Sequence, residues 1–149
     1  MFKHILVPTD GSTLAAKGAK AGMRLAKALG ARVTGVYVIG PYMPPVYADT
    51  AVMYVPGSTL EDYDKAAKSH AAKALAVIER EAKNAGVRCT TEYVTELHPW
   101  QGILKVARRR KCDAIAMASH GRSGLGGLLL GSETARVLAH SKIPVLVTR

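Results

Sequence analysis

Five glycines fall within the eleven residues from Gly121 to Gly131, and Ser132 follows the last of them. Glycine in that number weakens a fold unless the backbone must adopt positive φ or approach another group closely. A glycine-rich turn feeding a helix meets one such need. The free N–H groups and the positive dipole end of the helix attract an anion, phosphate above all. Gly131 and Ser132 stand immediately before a segment, 132–140, that reads as a helix. The Ser132 hydroxyl could donate to the same oxygen, Gly121 lets the backbone come near, and Arg122 could supply charge. The plainer alternative is a flexible loop whose serine only caps its helix.

Known phosphate motifs do not match in full. Gly124-x-Gly126 is followed by Leu129 where a dinucleotide fingerprint has its third glycine. Gly126-x-x-x-x-Gly131-Ser132 has the glycine spacing of a P-loop, but the phosphate-reaching lysine is absent. Other chemistry is thinner still. His4, His70, His98, His120 and His140 show no paired metal spacing, so no metal site is expected. His120 lies at the loop, yet without an orienting carboxylate it is a weak general base. Phosphoryl transfer would call for a lysine clamp and a metal-holding carboxylate, and only Asp10 could serve as the latter. No catalytic constellation emerges, and the reading is binding with at most slow hydrolysis. Cys89 and Cys112 are too few for a disulfide framework and read as two reduced thiols.

Something must position the loop, and the hydrophobic pattern says what. Residues 4–8, "HILVP", form a short apolar run of the kind a buried parallel strand shows. Ser12 offers an N-cap, and Ala15, Ala19, Met23, Ala26 and Leu29 recur at helical spacing until Gly30. Residues 32–39 make a second strand. Ser58 with Glu61 forms a capping box for a long helix whose face is marked by Tyr63, His70, Ala74, Ile78 and Ala85, ending at Gly86. Residues 88–94 are a third strand, and a helix follows from near Pro99 to the basic run Arg108–Lys111. Residues 113–118 are a fourth strand, 132–140 a last helix and 144–148 a fifth strand.

Such alternation over 149 residues predicts a single α/β domain: a flavodoxin-like (Rossmann-like), doubly wound, five-stranded parallel sheet with helices on both faces. In such sheets ligands bind beyond the carboxyl ends of the strands, where strand order reverses. The usual order puts that crevice between strands one and four. The loop "PTDGS" after strand one and the glycine-rich loop after strand four therefore converge. The proline- and tyrosine-rich stretch 40–57 reads as a lid, a partner surface or a flap over the core.

The sequence resembles the universal stress protein family over nearly its whole length. "ILVPTDGS" at the start and "DAIAMASHGRSGLGGLLLGSETARVLAHSKIPVLV" at the end carry the likeness. The nucleotide-binding branch of that family has Gly-x2-Gly-x9-Gly-Ser/Thr after strand four. Here Gly121 is the second glycine, and Gly131-Ser132 complete the motif. The resemblance implies an ATP, ADP or AMP ligand, with Mg²⁺ as an accompanying ion. It puts Asp10 at the ribose or adenine edge, Pro8 and Thr9 along the wall, and the Val38 backbone against adenine. It puts Met117 on the nucleoside and Gly121, Arg122, Gly131, Ser132, Glu133 and Thr134 around the phosphates, and His120 in the loop between is counted with the nucleotide-binding residues. For Glu133 only the backbone N–H suits that place, because its carboxylate would repel phosphate. Ala118 departs from the pattern, standing where the family has its first glycine. As it closes a strand, the position is expected to need a small side chain rather than positive φ. The glycine usual before the proline of "ELHPWQGI" is also missing, and the surroundings of Trp100 are left open.

The formal charge of +10 could mark a nucleic-acid binder. Its densest cluster, however, closes a helix, where cations complement the dipole. Aromatic residues interleaved with basic ones, which single-strand binding favours, are missing. Nucleic acid is therefore not the expected partner. The opening "MFKHILVPTD" lacks the long apolar run of a signal peptide, and no stretch has the length of a membrane span, which points to a cytoplasmic protein. An apolar strand 144–148 at a sheet edge invites pairing with its copy, and the resemblance implies the same homodimer. Two alternatives stand beside the nucleotide-binding stress-response module. One is a dimeric interaction protein of the same fold without nucleotide; the other is a basic nucleic-acid-associated protein.

Overall fold

The computed structural model describes residues 1–43, 59–120 and 130–149. Five strands, β1 (His4–Thr9), β2 (Arg32–Ile39), β3 (Cys89–Thr95), β4 (Ala114–Ala118) and β5 (Val145–Thr148), form one parallel sheet in the order β3-β2-β1-β4-β5. Strand order reverses between β1 and β4, as the alternation predicts. Four helices connect the strands: α1 (Thr13–Leu29), α2 (Leu60–Ala85), α3 (Pro99–Arg109) and α4 (Ser132–His140).

Each strand alternates its side chains between two apolar layers, which is what a sheet covered on both faces requires. Ile5, Val7, Val33 and Ala116 pack with Met23 of α1 and Ile78 of α2. Leu6, Val36, Ile115 and Met117 share the opposite layer with Ile103 and Val106 of α3 and Val137 of α4. Ser12 caps α1 by accepting the Ala15 N–H at 3.1 Å, as expected, and Ala15, Ala19, Met23 and Ala26 are its buried face.

The start of α2 differs from the expected Ser58–Glu61 box. The capping box is one residue later: Thr59 Oγ1 accepts the Asp62 N–H at 3.1 Å, and Asp62 Oδ2 accepts the Thr59 N–H at 3.2 Å. Two overlapping frames fit the same pattern here, and the frame that starts the helix at Leu60 is the one formed. The buried stripe is Ala71, Ala74, Leu75, Ile78 and Ala82, whereas His70 is exposed. Alanines let α2 lie close to the sheet, and they outweighed the larger His70 in setting its rotation. Tyr63 is half-buried and donates its hydroxyl to the Gly40 carbonyl at 2.7 Å. Apart from one-residue differences at strand ends, the remaining elements lie where the pattern puts them. Of the stretch 40–57, residues 44–57 lie outside the described residues, as does Ser58. Among the described residues no helix is long and apolar enough to cross a membrane.

Candidate functional site

The carboxyl end of β1 turns into α1 through two side-chain bonds. Thr9 Oγ1 accepts the Gly11 N–H at 3.1 Å, and Asp10 Oδ1 accepts the Ser12 N–H at 2.9 Å. Gly11 takes φ 82°, which this turn needs and a side chain would resist. One carboxylate oxygen of Asp10 is thereby fixed at the strand end. Pro8, Thr9 and Asp10 are all half-buried there. Beside them β2 outlasts β1: the last register pair is Thr9 with Tyr37, so Val38 projects past the end of β1. The Val38 side chain packs under α3, where a Cβ placed on Gly102 would come within 2.8 Å of it. What Val38 presents along the crevice is therefore backbone.

Across the crevice, β4 ends in Met117 and Ala118, both buried. Met117 belongs to the apolar layer under α3 and α4, so its side chain is part of the core. Lys111 is the only described non-glycine residue with positive φ, so Ala118 keeps ordinary strand backbone. Its methyl faces Gly18 of α1: a Cβ built on Gly18 would lie 2.9 Å from the Ala118 nitrogen and 3.3 Å from its Cβ. A small residue on the helix makes room for the alanine, in agreement with the expectation of a purely steric need.

Beyond Ala118, the Ser119 carbonyl accepts the Gly131 N–H at 2.8 Å, and the Thr134 hydroxyl donates to the Ala118 carbonyl at 3.0 Å. These two bonds seat the first turn of α4 on the end of β4. The Gly131 N–H and the Thr134 hydroxyl are thus both engaged within the chain. Gly131 has φ −60°, so positive φ is not its reason for being glycine. Close approach is: a Cβ there would meet the Ser119 oxygen at 3.0 Å and the His120 Cα at 3.1 Å.

Gly131, not Ser132, is the N-cap of α4, and no side chain caps the helix. The first intrahelical bond runs from the Ala135 N–H to the Gly131 carbonyl at 2.9 Å. The N–H groups of Ser132, Glu133 and Thr134 thus have no intrahelical partner. The Ser132 side chain is exposed beside them. Next to this turn, His120 Nδ1 lies 3.0 Å from Ser119 Oγ, and its Nε2 is buried with no hydrogen-bond partner among the described residues. Gly121 and Arg122 lie outside the described residues.

Glu133 turns its carboxylate away from its own helix end. Its Oε2 accepts the Trp100 N–H at 2.8 Å, so it caps α3, which His98 does not cap with its side chain. Arg136 lies 3.5 Å from the other oxygen. The carboxylate is thereby held at the start of α3 rather than over the first turn of α4. Trp100 stacks on His140 with ring centroids 4.5 Å apart, which gives this side chain a place in the α3–α4 contact. Sequence reasoning missed the cap, because residues 33 apart in the chain carry no local signal of it.

Burial pushes the Cys89 and Cys112 thiols up to about 11, which leaves them protonated and poorly nucleophilic at neutral pH. Among the described residues no group of three His, Cys, Asp or Glu side chains could hold a metal ion.

The family model described as the universal stress protein family matches residues 1–149. The chain belongs to that family. As a universal stress protein it is 31% identical to universal stress protein YxiE of Bacillus subtilis over 149 residues, covering all of both chains. Among solved structures, MJ0577 of Methanocaldococcus jannaschii is 28% identical with a TM-score of 0.76, covering 99% of this chain and 96% of that one. A universal stress protein solved in complex with cAMP has a TM-score of 0.71 at 22% identity, covering 99% of this chain and 97% of that one. This universal stress protein thus has the flavodoxin-like α/β fold of its relatives.

Proposed function

We infer that this universal stress protein is a regulatory module that binds an adenine nucleotide between the carboxyl ends of β1 and β4. The carrying observation is the seat of α4. Its uncommitted N–H groups at Ser132, Glu133 and Thr134 are held at the point of strand reversal by the Gly131–Ser119 and Thr134–Ala118 bonds. The cAMP complex of a fold relative supports adenine as the base. On this reading phosphates sit against the first turn of α4 and the exposed Ser132 hydroxyl, with Gly121 and Arg122 from the sequence motif alongside. Adenine and ribose lie against the Val38 backbone and Asp10. Met117 and Ala118 close the wall from within the core rather than by contact through exposed side chains. ATP, with Mg²⁺ sharing the phosphate charge, is the ligand the glycine motif fits best.

The test is calorimetric titration of ligand-free protein with ATP and with adenosine, in Mg²⁺. Ser132→Ala should weaken ATP much more than adenosine, and Asp10→Ala should weaken both. Absence of heat and of thermal shift with millimolar ATP would sink the reading and favour a family member that acts only through protein contacts. The assembly proposed alongside it is a homodimer paired through β5, the strand at the sheet edge.

A further inference from the structure

At the other end of the sheet, the amino ends of β1, β2 and β3 and the carboxyl end of α3 border an open cavity of about 530 Å³. That is the size range of small-molecule sites. Arg32, Arg88, Arg109, Arg110, Lys111 and His4 line it. Among the described residues one carboxylate forms ion pairs with these five cations, Glu92 with Arg109 and, at 2.6 Å, with Arg110, while Asp113 lies beside His4 and accepts its backbone N–H. Arg32, Arg88 and Lys111 have no ion-pair partner among the described residues. Cations gathered in a recess repel one another and raise the local concentration of anions.

Two further observations concern the cavity wall. His4 is 6% exposed, and its Nε2 lies 2.8 Å from Thr34 Oγ1, which in turn lies 3.4 Å from Thr90 Oγ1. The His4 ring also meets the Arg110 backbone, which favours its charged form, so the ring senses charge gathered in the cavity. The second is Lys111. Three helices end in the same double closure, seen as Ala31 N–H to Ala26 O, Val87 N–H to Ala82 O and Cys112 N–H to Ala107 O. In α1 and α2 the left-handed residue of that closure is glycine, Gly30 at φ 64° and Gly86 at φ 69°. In α3 it is Lys111, at φ 54°. A cation stands where the backbone favours glycine, on the wall of the cavity that gathers cations.

We propose that this cavity binds a small polyanion of two or three linked phosphate groups, held by Arg32, Arg88 and Lys111 with Arg109 and Arg110 at its edge. The cations line a recess rather than a ridge, so a compact anion reaches more of them than a duplex passing across the surface. The chemistry is that of a phosphate chain, free or carried by a nucleotide. Nothing in it depends on the nucleotide site at the opposite end of the strands.

The full chain would be titrated with pyrophosphate, tripolyphosphate and ATP at physiological ionic strength, followed by calorimetry and by the ring NMR signals of His4. The proposal expects saturable binding of tripolyphosphate that shifts the His4 signals. It expects Ser132→Ala to leave that shift in place. Arg88→Ala and Lys111→Gly should each weaken it by about tenfold or more, the usual scale of one lost charge-assisted contact. Lys111→Gly should do so while raising the unfolding midpoint, which separates lost binding from lost folding. If ATP moves the His4 signals as well as tripolyphosphate does, the phosphate chain of a nucleotide is an accepted source. If it does not, the free chain is the ligand. Unmoved His4 signals in millimolar tripolyphosphate, or binding unchanged in both variants, would overturn the proposal. So would a short DNA duplex that shifts His4 at lower concentration than tripolyphosphate.

Discussion

The Thr134 hydroxyl donates to the Ala118 carbonyl at 3.0 Å, joining the first turn of α4 to the last residue of β4 through a buried bond. A threonine in the proposed phosphate-binding turn thus holds the helix instead of reaching for a ligand. Thr134→Val keeps the shape but leaves a buried carbonyl without its donor. Urea unfolding should show a loss of about 1–3 kcal/mol. Thr134→Ser should recover most of it, and ATP affinity should follow stability of the seat in both variants. A valine variant as stable as the parent would show that the bond does not hold α4.

Ala118→Gly tests whether the alanine limits nucleotide binding. Ala118 has no positive φ to relieve, and its methyl packs against Gly18. The glycine variant should lose about 1 kcal/mol from backbone freedom and lost methyl burial. Its ATP affinity should stay within about twofold, a shift of less than half a kcal/mol. A large gain in affinity would mean that the family glycine serves the ligand directly.

Lys111→Gly should raise stability by about 1 kcal/mol, because glycine accepts the left-handed conformation that lysine resists. Denaturant midpoints of the two proteins, compared without polyanions, measure it. No change would mean that the lysine side chain makes up the backbone cost through contacts of its own.

His4 carries a pH dependence of known sign. Burial and then the neighbouring Arg32 charge hold its pKa below the ordinary 6.5; a hydrogen bond to the Arg110 backbone and the Asp113 charge oppose them, and the Arg110 charge adds to the repulsion. The unfolded chain therefore takes up the proton first as pH falls. Stability conferred by neutral His4 is complete above pH 6.5 and declines as pH drops through that value toward the folded pKa. Melting temperature should fall between neutral pH and mildly acid pH, and less so in His4→Asn. Asp113 acts in a lower window. Partial burial would raise its pKa, but hydrogen bonds from the Lys3 and His4 N–H groups outweigh this and hold it below the ordinary 3.8. Its contribution is present above pH 3.8 and is lost further down.

The proposed β5 dimer is tested at Leu146, which is 42% exposed on the edge strand, whereas Val145 packs against the core. Leu146→Lys puts a charge on the pairing edge without emptying the interior. Sedimentation should then show the dimer converted to monomer with an unchanged circular dichroism spectrum. A parent protein that sediments as a monomer at micromolar concentration would reject edge pairing.

Strand and helix positions were legible from short apolar runs and from the stripe Ala15, Ala19, Met23, Ala26, because burial on one face imposes a period that local sequence records. Strand order, and with it the convergence of the loops after β1 and β4, followed from the alternation and the handedness of its crossovers. The motif Gly121-x9-Gly131-Ser132 marked the candidate site before any geometry. What each residue does there was decided by tertiary structure. The Gly131 N–H and the Thr134 hydroxyl meet Ser119 and Ala118, partners brought near only when α4 docks on β4. The Glu133 carboxylate is drawn to the end of α3, and Gly18 opens the space that Ala118 fills. The basic cavity has the same origin, for His4, Arg32, Arg88 and Lys111 stand far apart in the chain. A period is a local property that sequence carries, whereas a partner across the fold exists only once distant elements have packed.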